Sequence, residues 1–424
     1  MERVNRRTLL TAATAATLVT AVACGDRATD SSPYASRIAE AIPKLEKTTG
    51  LTFKTPPKFE ARSKEEVRQF LERSFAEDLP DAELNGSARA YKRLGLLPDT
   101  LDLRAFMLAL LSEQVVGYYD PGTKVLYIVQ GAADEMVGVT VSHELVHALQ
   151  DQYMNLDSLQ KVRGQNDRQM AAQAVIEGQA TFEQLSSMLG SGAMLTGLPG
   201  GWDRVRQLIR ENNATMPVFS TAPTLIQETL LFPYLSGAEF MRAFKEKNPG
   251  KAPFGNMPVS TEQVMHDDRF FGTRDDPTSV TLPPLRAGTA VYDNNLGEFE
   301  TRLFLFQHLK DRDAAYRGAA GWDGDRYVLF DLPRGEGLAW TTVWDTSVDA
   351  AEFFDLLDTS ILKRFGSATK PTQATESTRV YSSGGRTLSV SVTDVGGRPV
   401  VLYVDVPSGA STDVFDLRQL KLEE

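Results

Sequence analysis

Two histidines four residues apart, with a glutamate between them, stand out as residues that could do chemistry: His143-Glu144-Leu145-Val146-His147. On an α-helix, positions i and i+4 lie one above the other on the same face. Two imidazoles so placed can bind one Zn²⁺ at about 2.0–2.1 Å each. Glu144 then projects beside them, where it can serve as general base toward an attacking water. The whole chain has four histidines, so finding two of them in this spacing is not what composition alone would give. Catalytic zinc needs a third protein ligand and one open position. An HExxHxxGxxH extension is absent, because Gln150 stands where the glycine would be and Tyr153 where the last histidine would be. The candidate third ligand is Glu177, which sits on a helix of its own among the small or apolar Ile176, Gly178 and Ala180. Gly178 costs helix propensity, which points to close approach of another helix. His₂Glu is a known catalytic zinc set, and the ligand types favour zinc over other metals.

At these residues the sequence resembles the gluzincin metallopeptidases. HELVHALQD, from His143 to Asp151, is similar to the active-site helix of thermolysin-like enzymes, and EGQAT, from Glu177 to Thr181, is similar to their Glu-bearing second helix. The stretches LGLLPDTLDLR, EQVVGYYDPGTKVLYIV, FPYLSGAEF, STEQVMH, GWDGDRY and TTVWDTSVDAAEF resemble a family of bacterial HExxH proteins, many of them lipoproteins. The resemblance implies an α+β fold: a zincin-like catalytic domain, with a small sheet, an edge hairpin, the active-site helix and the second helix, followed by a smaller C-terminal α+β region. It also implies hydrolysis of a peptide or protein substrate. In this clan an edge strand beside the site pairs with extended substrate, and Val125 to Val129 is the candidate here, with a plain structural strand as the alternative. The sequence departs from thermolysin four residues after the third ligand. An orienting carboxylate sits there in thermolysin, and this chain has Thr181. Thr181 or Asp151 could accept the N–H of a ligand histidine, and Asp151 could equally be a helix-end salt-bridge partner. Oxyanion stabilisation by the metal usually has help from a His or Tyr, for which His266 is the first candidate and Tyr234 the second. His308, in an apolar helical context, reads as structural. A zinc-holding scaffold without turnover, or a zinc hydrolase of a non-peptide bond, are the competing functions.

The N-terminus carries an export pattern. Arg3, Arg6 and Arg7 precede an Ala/Thr-rich apolar stretch, and Ala21-Val22-Ala23-Cys24 resembles a bacterial lipobox, though Ala replaces the usual leading Leu. Cys24 is the only cysteine. No intrachain disulfide can form, and lipidation of Cys24 would tie the chain to the outer face of a membrane. Asn5 to Leu10 also looks like a twin-arginine signal, so the export route stays open.

A chain of 424 residues with 42% hydrophobic and 24% charged residues can bury a sizeable core. Its formal charge of −11 argues against nucleic acid as a partner. Residues 1–24 read as signal, 25–36 as tether, 37–285 as the catalytic domain and 286–424 as the C-terminal region. Helices are predicted from Ser63, with Glu66 completing a capping box, from Asp102, from Asp134 through the HExxH motif, from Asn166 or Asp167 through Glu177, and over Leu225–Lys247. A hairpin around Pro121-Gly122 spans Val115–Val129. Residues 191–223 are turn-rich, with a helical piece near Trp202. Beyond residue 286, helices at 296–310 and 348–365 mix with strands at 326–332, at 338–344 and in three runs between 378 and 406. Trp322, Asp325, Arg326, Trp344 and Asp345 carry no metal spacing and read as a turn with a buried packing cluster.

Overall fold

The computed structural model describes residues 34–78, 80–131, 134–156, 158, 162–189, 201–366 and 370–423. The export signal with Cys24, residues 25–33 of the tether, and residues 191–200 of the turn-rich stretch lie outside the described residues. Among the described residues no helix is long and apolar enough to cross a membrane.

The fold is α+β, with helices and sheets in separate layers. Helix α1 (Ala35–Thr49) leads into strand β1 (Lys58–Arg62). Helix α2 (Lys64–Asp78) begins at a reciprocal cap. Ser63 N donates to Glu66 Oε2 at 2.8 Å, and Glu66 N donates to Ser63 Oγ at 3.3 Å. Helix α3 (Asp81–Arg93) is followed by α4 (Leu103–Gln114), where Asp102 accepts from Ala105 N at 3.1 Å. The hairpin consists of β2 (Gly117–Asp120) and β3 (Val125–Val129).

Strand β3 lies between β1, which is parallel to it from Lys58↔Val125 to Arg62↔Val129, and the antiparallel β2. All five β3 residues are buried. This corrects the expectation that Val125–Val129 is an edge strand free to pair with substrate. A parallel strand 67 residues upstream leaves no hairpin signal, and it occupies that side of β3.

Four helices build the region around the motif: α5 (Asp134–Gln150), α6 (Asn166–Leu189), α7 (Gly201–Ala214) and α8 (Thr224–Lys247). Ile38 and Leu45 of α1, Leu126 and Ile128 of β3, and Val137, Val141 and Leu145 of α5 share one apolar cluster, which seats α5 on the sheet. The helical pattern of Val137, Val141 and Leu145 leaves the opposite face of α5 for the histidines.

The C-terminal part has β4 (Thr289–Asn294), α9 (Gly297–Leu309), α10 (Arg312–Ala319), β5 (Trp322–Leu332), β6 (Gly335–Trp344), α11 (Ser347–Phe365), β7 (Gln373–Ala374), β8 (Thr378–Ser383), β9 (Arg386–Val395) and β10 (Arg398–Pro407). Its strands form one seven-stranded antiparallel sheet in the order β4-β5-β6-β10-β9-β8-β7. The main core runs without a break from Ala90, Ala174 and Phe232 through Phe299 to Trp340 and Leu388, so apolar packing is continuous across residue 286. Asp325 fastens this junction. It accepts from Leu296 N and Gly297 N at 2.9 Å each, from Trp340 Nε1 at 2.9 Å and from Trp322 Nε1 at 3.2 Å. Its carboxylate therefore caps α9 and satisfies two buried indoles.

Candidate metal centre

Helix α5 presents His143 and His147 one turn apart, with ring centroids 4.8 Å apart. Helix α6 brings Glu177 opposite them. His143 Nε2 lies 3.1 Å and His147 Nε2 3.4 Å from the same oxygen, Glu177 Oε2. The three side chains are recessed, at 12%, 11% and 26% exposure.

The far side of each ring is held by an amide. His143 Nδ1 is 3.1 Å from Gln184 Oε1, and His147 Nδ1 is 2.9 Å from Gln150 Oε1. Gln150 is buried, and its Nε2 donates to Ile176 O at 2.9 Å and to Gln179 Oε1 at 3.0 Å. Those two bonds fix which way the amide points, so its oxygen must face the histidine and Nδ1 must carry the hydrogen. In the neutral ring the Nε2 lone pair would then be aimed at the centre, as a metal ligand requires. Neither Thr181 nor Asp151 plays the orienting part expected from sequence. Thr181 Oγ1 is buried without a hydrogen-bond partner among the described residues. Asp151 accepts from Tyr119 OH at 2.7 Å and pairs with Lys124 Nζ at 2.6 Å, which ties the hairpin to the end of α5.

Glu144 points beside the histidines, and its Oε2 accepts from Tyr119 N at 2.7 Å. Burial raises its pKa above the usual carboxylate range, although His147 and His143 pull the other way. Burial also pushes Glu177 up, but the histidines beside it, His147 first, outweigh that and hold its carboxyl far below the usual range. For His147, burial opposes the charged form, yet the Glu177 carboxylate prevails and raises the ring to about 9. The pocket is therefore built to hold positive charge at the point where two Nε2 atoms and one carboxylate oxygen converge. Two imidazole nitrogens and one carboxylate oxygen fit a zinc ion, with a fourth position open toward the cavity. His143, Glu144 and His147 also have ligand atoms within 4.8 Å of one another. Glu177 is the better candidate for a third ligand, because both Nε2 atoms meet on its oxygen while Glu144 is turned toward Tyr119.

Tyr234 of α8 completes the wall, with its ring centroid 6.1 Å from that of His143. The Glu177 carboxylate, then burial, push its phenol well above the ordinary value. Tyr234 reaches this place because α6 and α8 cross at Gly178 and Gly237, one and three residues away from the two site residues. His266 is not brought to the centre, which corrects the expectation that made it the first candidate for the helper role. It sits between two short helices, with Nε2 2.9 Å from both carboxylate oxygens of the buried Glu298 and its ring against Tyr316. His308 bonds Leu94 O at 2.9 Å, a structural contact.

The centre opens into a cavity of about 260 Å³ that Tyr118, Tyr119 and Gln173 also line. A second cavity of about 350 Å³ adjoins it, and Gln169 and Gln173 line both. Sequence reasoning did not single out Gln150, Gln184 or Tyr119. The signal for the amides was in the spacing: Gln150 is three residues after His147, and Gln184 is two helical turns after Glu177.

No curated protein matches the chain. A family model described as a domain of unknown function, DUF8575, matches residues 285–415, which cover the whole seven-stranded C-terminal sheet and the helices between its strands. A solved structure from Chloroflexus aurantiacus, described as a putative hydrolase with a novel fold, is similar at 19% identity over 57% of this chain and 89% of that one. Its TM-score of 0.35 is too low to carry fold or chemistry from one chain to the other.

Proposed function

We propose that this protein is an exported, lipid-anchored zinc hydrolase that cleaves peptide bonds. His143, His147 and Glu177 would be the metal ligands and Glu144 the general base. The observation that carries this reading is the convergence of two histidine Nε2 atoms on one Glu177 oxygen, each ring fixed from behind by a glutamine.

Zinc, when bound, would supply Lewis acidity to the scissile carbonyl and to the attacking water. The protein's own residues would do the rest. Glu144 would take a proton from the water on its carboxylate and return it to the leaving amine. Its raised pKa suits a base that must also act as an acid. Tyr119 N, bonded to Glu144 Oε2, would hold the carboxylate in that attitude. Tyr234 OH, kept protonated by the charge of Glu177, would donate to the developing oxyanion. Strand β2 is bonded only to β3 within its sheet, and Tyr118 and Tyr119 line the cavity. An extended peptide would therefore lie along β2 rather than β3, with the adjoining cavity past Gln169 and Gln173 receiving one of its side chains.

The test is metal analysis together with cleavage of a peptide library by the purified full chain. Stoichiometric zinc and zinc-dependent cleavage are expected. Bound zinc without cleavage of any peptide would overturn the peptidase reading.

A further inference from the structure

On a different face, α7, α8, α9 and α10 enclose a cavity of about 450 Å³ lined by four arginines: Arg206, Arg210, Arg302 and Arg312. In a chain of formal charge −11, such a grouping does not follow from a generally basic surface. Two of the four are neutralised. Arg206 pairs with Glu239, and Arg210 forms a bidentate pair with Glu228 at 2.6 and 2.8 Å. Arg302 is different. It is half-buried, and among the described residues it makes no hydrogen bond or ion pair. Its guanidinium only lies over the Phe299 ring, at 5.6 Å. Glu298, one turn back on the same face of its helix, is taken by His266. Burial, with Arg210 nearby, weakens its hold on its proton despite Glu298 and Glu228.

A guanidinium withdrawn from water without a partner is costly, and an anion placed against it removes that cost. Several guanidinium forks around one space suit phosphate, which accepts from many donors at once. The cavity is larger than a bare phosphate needs, and Leu303, Phe306 and Tyr316 give it an apolar side.

We propose that this cavity binds a phosphate group carried on a small organic moiety, with Arg302 as the central donor and Arg312 at the exposed mouth. The phosphate could be presented by a soluble phosphomonoester or by a phospholipid headgroup, and the experiment separates the two sources.

The test uses the full chain, its Arg302→Gln variant and an Arg204→Gln control, titrated with inorganic phosphate and with phenyl phosphate. Arg204 is on α7 but does not line the cavity; it lies 3.9 Å from Glu211. Wild type is expected to give a saturable rise in Tm, with phenyl phosphate binding more tightly than inorganic phosphate. Arg302→Gln should weaken both by about tenfold or more, while the control stays within about twofold. In phosphate-free buffer Arg302→Gln should melt no lower than wild type, because it removes an unpaired charge; a structural arginine would behave the opposite way. If that variant does not fold, Arg312→Gln on the exposed rim must weaken binding. Arg302-dependent attachment to phosphatidylglycerol but not phosphatidylcholine vesicles, competed by inorganic phosphate, assigns the lipid source. Phenyl phosphate binding without that difference assigns a soluble one. No saturable phosphate binding by wild type, or binding that neither arginine variant weakens, overturns the proposal.

Discussion

Gly178 of α6 and Gly237 of α8 meet backbone to backbone. A Cβ on Gly178 would lie 2.2 Å from the carbonyl carbon of Gly237, and one on Gly237 would lie 2.0 Å from the carbonyl oxygen of Ala174. No side chain can yield there, because the obstacle is main chain. The crossing holds Glu177 and Tyr234 against each other, so the geometry of the centre depends on two residues that have no chemistry of their own.

Replacing Gly178 by Ala would normally strengthen a helix by about 1 kcal/mol. Here overpacking should reverse the sign, for a net loss of about 1–3 kcal/mol in chemical denaturation, with weaker zinc binding. An unchanged or raised stability would mean that the helices part freely and that the crossing does not set the site.

Glu144→Gln should keep the fold and the zinc but lose about 10²–10⁴-fold in cleavage rate, since the amide can still bond the water but cannot take its proton. Zinc content and rate are to be measured side by side. A variant that cleaves as fast as wild type would remove Glu144 from the mechanism.

Glu177→Ala should lower zinc affinity by more than about 100-fold, and Gln150→Leu by about 10–100-fold through loss of ring orientation. Asp151→Ala should leave zinc affinity nearly unchanged, because Asp151 holds Tyr119 and Lys124 rather than a histidine. Competition with a chelator of known affinity gives the three values. Equal losses in the Glu177 and Asp151 variants would undo the ligand assignment.

Cys24→Ser should release the protein from membranes or block its processing, as followed by fractionation and lipid labelling. Unchanged partitioning, with no label on the wild type, would remove the anchor.

The buried carboxyl of Glu300, which accepts from Tyr91 OH at 2.8 and 3.0 Å, is raised to about 8 by burial, against the bonds it accepts. The folded protein then keeps a proton that the unfolded chain loses above its ordinary value of 4.5. This contribution to stability is complete below that value and fades as pH rises toward about 8. Glu300→Gln should therefore flatten the fall in Tm between those limits, and an identical slope in the variant would show that Glu300 ionises freely in the folded state.

Taken alone, the sequence determined whatever depends on neighbours within a few residues. The i, i+4 spacing of His143 and His147 puts both on one face of α5. Ser63 and Glu66 write a helix start, and Pro121-Gly122 writes a turn. These are contacts of one helical turn or one hairpin, and local residue types decide them. Tertiary structure decided everything that joins distant segments. β1 packs against β3 and turns the expected edge strand into the middle one. Tyr234, rather than His266, faces the centre, because only the glycine crossing brings α8 close enough to α6. The histidines are oriented by Gln150 and Gln184, rather than by the Thr181 or Asp151 that sequence offered. Gln150 can act only because Ile176 O and Gln179, on the neighbouring helix, fix its amide. Helix periodicity tells which face a residue occupies, and the packing of whole elements determines what that face meets.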